Sequence, residues 1–523
     1  MLSDAVSSDL DLASIHSTLQ LNTSWGKDTF TRDIHTPTID VSELKQRQLC
    51  LLALHGEQTV REAIVKELSV LDCATVDQSV KCDDPYMKES VEQILWAPSS
   101  MASFLNTQST FLNLTILWKS IVLPLLALII PLVAIIVPFV FLNYANPQIN
   151  IQDYLENVRG VLLKQITIPT ILKSRGSDDR VGFLLESAFI GITLVTFISG
   201  IWNQISAALH LRKIWFLLDS VGTKIKDSVS CISNILVHIR SLDIRKQRAL
   251  RRITIAGEEV LRKVSNVEGL GGVSTFGSFY TNPEPLTAIR SWIGLVDTIV
   301  HISGRKDICY PKYANGGELV LRGVTHPSLM SCTKNDYDSK NSIVTGPNRG
   351  GKSTFCKAVG LAIVTSQTWG FSWASKMTIE PFTGIHTALQ TNGSLGQQST
   401  FEAEIAFACK TLSLEGRQFI MMDEIFHSTN AYDGLQASRV FLKKLYAKPD
   451  ICSVISTHYH DLALEFADTA HTLMLDASLG KNGKLHYTYK VLPGVSDVSS
   501  VMEILEERGL VDSPVRCILE NQS

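Results

Sequence analysis

The chain has 523 residues, 19% of them charged, with a formal net charge of −3. Near-neutrality excludes a protein whose whole surface traps nucleic acid, so any DNA contact needs a local basic surface. Ten cysteines scattered from Cys50 to Cys517, with no Cys-x-x-Cys pair, exclude a disulfide scaffold and a zinc ribbon and fit a reducing compartment. The length predicts roughly two to four domains.

Met1 to Gln20 mixes aspartates with serines and has no apolar centre, unlike a secretory leader. Residues 1–115 read as the first part of a helical domain, with Leu44, Leu51, Leu52, Ile64, Val65 and Leu68 at helical spacings. The pattern then changes abruptly. Ser120 to Gln152 is a run of 33 residues without Asp, Glu, Lys or Arg, and Ser187 to Leu211 is a second uncharged run of 25. Because a bilayer-crossing helix needs about 20 apolar residues, residues 116–206 are expected to form a two-helix transmembrane hairpin, with spans at 116–143 and 183–206. The competing reading is a pair of buried core helices. Pro124, Pro131 and Pro138 recur along one stripe of the first span, and Gly191, Thr193, Ser199 and Gly200 supply small packing residues in the second. Lys119 on one flank, with Arg212 and Lys213 on the other, predicts a two-pass membrane protein with its C-terminal part on the cytoplasmic side.

Residues 207–306 resume the helical pattern. They include the basic stretch Arg240-Ser-Leu-Asp-Ile-Arg-Lys-Gln-Arg-Ala-Leu-Arg-Arg252, which fits either a solvated helix face or a phosphate-contacting one. Gly269 to Ser278, rich in glycine and serine, reads as a hinge loop. From 307 to 523, β-prone runs such as Ser342–Thr345, Phe419–Met422 and Ile451–Ser456 alternate with helical segments. This predicts an α/β domain with its site at the carboxyl edge of the sheet.

That domain carries the chemistry. Gly346-Pro-Asn-Arg-Gly-Gly-Lys-Ser-Thr354 follows a strand and precedes a helix, the context a phosphate-binding loop requires. Gly346, Pro347, Asn348, Gly350, Gly351, Lys352, Ser353 and Thr354 are the expected nucleotide-binding residues. Lys352 would neutralise the β- and γ-phosphates and Ser353 would ligate Mg²⁺. Asp423 and Glu424 end another β-prone run. Asp423 is expected to join Ser353 in holding Mg²⁺, and Glu424 to act on the attacking water. His458, after the next strand, is placed to contact a γ-phosphate and report hydrolysis. Lys352, Asp423, Glu424 and His458 are the catalytic candidates, with ATP and Mg²⁺ as cofactors.

In combination these motifs resemble the MutS family, the P-loop ATPases of DNA mismatch repair. The phosphate loop is similar, with Arg349 where methionine is usual. Gln398-Ser399-Thr400-Phe401-Glu402-Ala403-Glu404 resembles the family segment in which Ser399 reaches the nucleotide of a dimer partner. Asp423-Glu424-Ile425 with Tyr432-Asp433-Gly434 resembles the Walker B element and its following loop, Thr457–Leu462 the switch, and Tyr489–Ser496 the last motif. The resemblance covers about 307–510 strongly. It implies a helical lever (core) domain followed by an ABC-like P-loop ATPase domain, a homodimer through that domain, and double-stranded DNA as a candidate partner. Two departures stand out. The likeness begins near residue 25, leaving no room for the Phe-x-Glu mismatch reader. Phe426-His-Ser-Thr-Asn-Ala431 also replaces the glycine-arginine-rich loop of repair enzymes. The expectation is therefore a membrane-anchored, MutS-like ATPase; the alternative is a membrane tether with weak or no ATP turnover.

Overall fold

The computed structural model of the chain describes residues 1–523 except 82–84, 146–149, 153, 157–178, 339, 390–399, 480–484 and 510–523. It divides into two units, one comprising Met1–Val70, Cys231–Glu259 and Arg290–Ser523, the other Leu71–Ser230 and Val260–Ile289.

In the first unit, short β-branched runs pair into two sheets. The smaller sheet has the order β1 (Lys312–Tyr313), β5 (Lys376–Ile379), β2 (Leu319–Val324), β3 (Asn335–Tyr337). The larger runs β10 (Leu485–Pro493), β9 (His471–Leu479), β4 (Asn341–Thr345), β8 (Ile451–Ser456), β7 (Gln418–Met422), β6 (Gly384–Ala388). Its pairs are parallel from β9 through β6, and β10 adds antiparallel to β9. Every residue of β4, β7 and β8 is buried, as expected of strands covered on both faces. Ile343, Ile420 and Ile455 from these strands share a core with Phe441, Leu442 and Leu462. These last three come from the helices Ala431–Tyr446 and His460–Glu465. Val344 pairs with Ser456, and Met422 with Ile455, which brings the carboxyl ends of β4, β8 and β7 side by side. The helices Ser24–Ile34, Val41–His55 and Gln58–Ser69 complete the unit. Phe30 stacks on Trp369 at 5.8 Å, joining the helical part to the end of the long helix that follows β4.

The second unit is helical. Buried Asn106 fixes its turn by donating to the Trp96 carbonyl at 2.8 Å and accepting from the Trp96 amide at 2.8 Å. Gly269–Ser278, expected as a hinge, is instead largely helix, Gly272–Thr281. The glycines serve close approach here. A Cβ on Gly272 would lie 2.4 Å from the Asp219 carbonyl oxygen, and one on Gly277 would lie 2.5 Å from that of Asn106. Sequence composition alone does not separate a glycine that turns the chain from one that admits a neighbouring backbone.

The expected two-helix transmembrane hairpin is not found. Among the described residues a single segment is long and apolar enough to cross a membrane. It is Ser109–Pro131, with mean hydropathy 2.1 over 23 residues and none of its apolar window buried. It begins upstream of the expected 116–143 and overlaps it through Pro131, and it contains a π-helical turn, Trp118–Val122, just before Pro124. Widening the turn there accommodates a ring that has no amide hydrogen to donate. The expected second span, 183–206, is the first part of one continuous helix, Asp179–Arg240, of 62 residues. At 1.5 Å per residue that helix is about 90 Å long, well beyond a bilayer's thickness. From Leu211 onward it buries one stripe, Leu211, Ile214, Leu218, Val221 and Ile225, in the manner of an amphipathic helix. An uncharged run specifies apolarity, and nothing in it specifies where a helix stops.

Candidate functional site

The phosphate loop leaves β4 with Gly346 at φ 151°, Arg349 at φ 63° and Gly351 at φ 97°. Gly351 caps the helix Lys352–Thr368. A side chain at Gly346 would be strained by its backbone, and its Cβ would lie 2.9 Å from Leu475 Cβ. The loop therefore folds tightly enough to turn amides toward one point at a helix N-terminus, where an anion is favoured.

Lys352 opens that helix and is 6% exposed. Its Nζ donates to the carbonyls of Gly346 at 2.9 Å and Pro347 at 3.3 Å, curling over the loop. Burial pushes its pKa below the ordinary lysine value, opposed by the charges of Glu424 and Asp423. Such an ammonium gains from a phosphate that would replace its lost hydration. Pro347 and Gly350 are buried in the loop, while Asn348, Ser353 and Thr354 face solvent.

Asp423 and Glu424 follow β7, one strand away from β8 and two from the loop. The Ser353 hydroxyl donates to Asp423 Oδ2, and the Ser456 hydroxyl donates to Asp423 Oδ1. Ser456 Oγ also accepts from the Glu424 amide at 3.0 Å. Its position in the last residue of β8 is visible in the sequence, but its role is not. The role arises from register, which places the end of β8 beside the end of β7. Glu424 has φ 52° and Phe426 φ 50°. Left-handed conformations at non-glycine residues cost about 1–2 kcal/mol each and concentrate at functional sites. His458 Nε2 lies 2.7 Å from Glu424 Oε1. That hydrogen bond is the leading cause holding the Glu424 carboxyl below the usual glutamate range. His458, expected to face a phosphate, is engaged by the carboxylate.

The divergent loop after the acidic pair is tied into the same network. His427 Nδ1 lies 2.7 Å from the Glu424 carbonyl oxygen and 3.4 Å from Glu404 Oε1. Burial pushes the Glu404 carboxyl above the ordinary glutamate value. Tyr432, Asp433 and Gly434, expected in a loop, form the first turn of the helix Ala431–Tyr446, whose cap Asn430 accepts from the Asp433 amide at 2.9 Å. Ser399 lies outside the described residues, which resume at Thr400 with the helix Thr400–Leu412.

A cavity of ≈ 340 Å³ adjoins the loop, lined by Leu329, Thr333, Gly351, Thr354, Phe355 and Tyr489 among others. Tyr489 reaches it from a bulge in β10, where the pairing with β9 shifts between Tyr487 and Val491 and Tyr489 takes φ 56°. Asn335 braces the bulge, donating to the Tyr489 carbonyl at 3.0 Å and accepting from the Val491 amide at 2.9 Å. Sequence reading noted Tyr489 as a motif member without assigning it to a pocket. A positive-φ tyrosine in a strand is visible only in the backbone.

The residues fit a magnesium nucleotide. Among the described residues no cluster of three or more His, Cys, Asp or Glu forms a metal cage. Ser353 and Asp423 instead supply one hydroxyl and one carboxylate at the same point, the sparse protein ligation with which Mg²⁺ bridges to phosphates.

Comparison with known proteins agrees with this geometry. Residues 342–520 match MutS domain V, from the first buried strand residues through the last strand and beyond. The segment 342–520 is thus similar to the MutS family's domain V. Among its relatives, the DNA mismatch repair protein MutS of Shouchella clausii is 28% identical over 247 residues, which are 45% of this chain and 28% of the relative. The protein of the same name from Lactobacillus delbrueckii subsp. bulgaricus is 28% identical over 224 residues, 40% of this chain and 26% of the relative. That of Lactobacillus johnsonii is 32% identical over 190, covering 35% and 22%. The chain thus spans about a quarter of the length of these MutS relatives.

Proposed function

We propose that the chain binds ATP with Mg²⁺ at the loop Gly346–Thr354 and hydrolyses it, working as a homodimer. The observation that carries this reading is the convergence of Lys352, Ser353, Asp423, Glu424 and His458 at the ends of three adjacent parallel strands. Bound Mg²⁺ would offset charge between the β- and γ-phosphates. Ser353 and Asp423, which share a hydrogen bond, are the residues that would hold it. Lys352 swings from the Gly346 and Pro347 carbonyls to the phosphates. Glu424, kept ionised by His458, orients water for in-line attack and takes its proton. His458 is then free to sense whether the carboxylate is engaged. The cavity beside Tyr489 accepts the base. Ser399 completes the partner's pocket, as the family likeness implies, which is why a dimer is proposed.

The names of the relatives support a role in DNA mismatch repair or a related DNA transaction, with double-stranded DNA as the polymer engaged. Membrane association is part of the same proposal, through the exposed apolar segment Ser109–Pro131, with the nucleotide site on the cytoplasmic side. The second reading, a tether that binds ATP and barely turns it over, draws on the His427 contact to the Glu424 backbone. Steady-state hydrolysis by the full chain separates the two. Turnover abolished by Glu424→Gln supports the ATPase; nucleotide binding without turnover supports the tether. Stimulation by duplex, mismatched or branched DNA tests the polymer, and carbonate extraction of membranes tests the anchor.

A further inference from the structure

A cavity of the first unit reaches Trp369, at the opposite end of the helix Lys352–Thr368 from the phosphate loop, and shares no lining residue with the chemistry just described. It measures ≈ 620 Å³ and lies where the helix Val41–His55 meets residues 248–255. Its walls are mainly apolar, formed by Leu49, Ile253, Ile255, Leu295, Ile299 and Trp369. Its charged lining is unbalanced. Asp33 is taken up by Arg32 at 2.8 Å and Glu43 by Arg47 at 2.6 Å. Arg248, Arg251 and Arg252 also line it and are exposed. None of these three has a carboxylate partner among the described residues, whereas Lys246 and Arg240 of the same stretch are paired with Glu57 and Glu258.

Two further features point to a ligand. A second cavity of ≈ 320 Å³ shares Arg248, Arg251 and Ile255 and is also lined by Ile244, which is 75% exposed. Trp369, 4% exposed and part of the first cavity's wall, has an indole N–H without a hydrogen-bond partner among the described residues. Cavities of this size with apolar walls and a few convergent polar groups are the usual form of small-ligand sites.

We infer that this cavity binds an amphipathic organic anion, with a phosphate or carboxylate head on Arg248, Arg251 and Arg252 and an apolar body against Leu49, Ile253, Leu295 and Trp369. Arginine suits such a head because its planar fork makes paired, charge-assisted hydrogen bonds. A duplex backbone uses the same cations but offers nothing to fill apolar walls, since its contacts are polar and wet. The anion can come from a phospholipid or from a free acyl compound; the head and body chemistry are shared.

The test is calorimetric titration of the full chain with dodecyl phosphate below its micelle concentration, followed in parallel by tryptophan emission, with Trp369→Phe identifying the reporter. Dodecyl maltoside, inorganic phosphate and duplex DNA are titrated as alternatives. Saturable binding of dodecyl phosphate is expected. It should weaken by about tenfold or more in the triple variant R248Q/R251Q/R252Q, because losing even one charge-assisted bond costs about 1.5–3 kcal/mol. Ile255→Glu, which adds a like charge at the rim of both cavities, should weaken it as well without touching the nucleotide site. A short-chain phosphatidylglycerol binding with the same arginine dependence assigns a lipid source, and binding of the single-chain compound alone assigns a free one. Equal binding of dodecyl maltoside, unchanged affinity in both variants, or arginine-dependent binding of duplex DNA in place of dodecyl phosphate would each overturn the inference. Unaltered thermal unfolding of the variants shows that they fold.

Discussion

The helix Lys352–Thr368, apolar at its centre from Ala358 to Val364, and the strongly apolar segment Ser109–Pro131 differ in burial: 14 of the 17 residues of the first are buried and none of the apolar window of the second is. The first packs against β8 and β2, next to strands that are themselves buried throughout. The second is covered near its start, where Leu112 is buried, but Leu117, Trp118, Ile121, Leu125 and Ile129 are all about half exposed. A helix apolar all round must be wrapped by something, and an exposed patch of this extent marks an interaction surface. For Lys352–Thr368 the wrapping is the fold. For Ser109–Pro131 most of the apolar surface has no such wrapping among the described residues, which is the physical basis for proposing a bilayer there.

Matched substitutions break or sharpen that contrast. Ile343→Asp places an uncompensated carboxylate at a fully buried position in β4. It should cost more than about 4 kcal/mol, enough to lose cooperative unfolding and nucleotide binding together. Ile129→Asp, at a position 47% exposed, should shift stability by less than about 0.5 kcal/mol while releasing protein from carbonate-washed membranes. Equal destabilisation by the two would mean that the apolar segment is part of a folded core.

Within the buried region, Lys352→Ala removes the ammonium that the phosphate loop encloses. Nucleotide affinity should fall about 100-fold, corresponding to one or two charge-assisted hydrogen bonds, with little change in thermal unfolding of the nucleotide-free chain. A smaller effect is read from pH. Glu424 is held below its ordinary value of 4.5, chiefly by His458. The ionised form, and the turnover and stability that depend on it, should therefore persist above 4.5 and be lost only as pH falls through the depressed value. His458→Ala removes the leading cause, so the acid limb of the rate profile should move up toward 4.5. A limb that stays in place would detach His458 from the carboxylate's ionisation. A small change is also expected at Arg349, which pairs with Glu507 at 2.5 Å on the surface. Arg349→Met should alter stability by less than about 1 kcal/mol.

How much of this was legible in the sequence follows the same division. The buried strands β4, β7 and β8 show as short β-prone runs, and the loop between β4 and its helix shows as glycines around Lys352 and Ser353, because local chemistry specifies both. The resemblance to the MutS family follows from the ordered set of motifs. What was not legible depends on register and on neighbours. Ser456 meets Asp423 only because β8 pairs with β7, and Tyr489 enters its cavity only through a bulge in β10. The glycines at 272 and 277 read as a hinge until their neighbours Asp219 and Asn106 are seen. The hairpin expectation failed for a related reason. The uncharged stretch from Ser187 to Leu211 lacks any stop signal, so it continues into the amphipathic part of Asp179–Arg240. The basic stretch from 240 to 252 fits either a solvated or a phosphate-contacting face in sequence, and only the structure shows which of its cations are paired with carboxylates and which line cavities.

The central claim is that Glu424, oriented by His458 and Ser456, drives hydrolysis of a nucleotide held by Lys352 and Ser353. Its most direct test is steady-state ATP turnover of the full chain and of Glu424→Gln, with nucleotide binding measured alongside. The account predicts measurable turnover that falls by about 100-fold or more in the variant while binding is retained. Turnover unaffected by the substitution, or absent from the unaltered chain despite nucleotide binding, would contradict it.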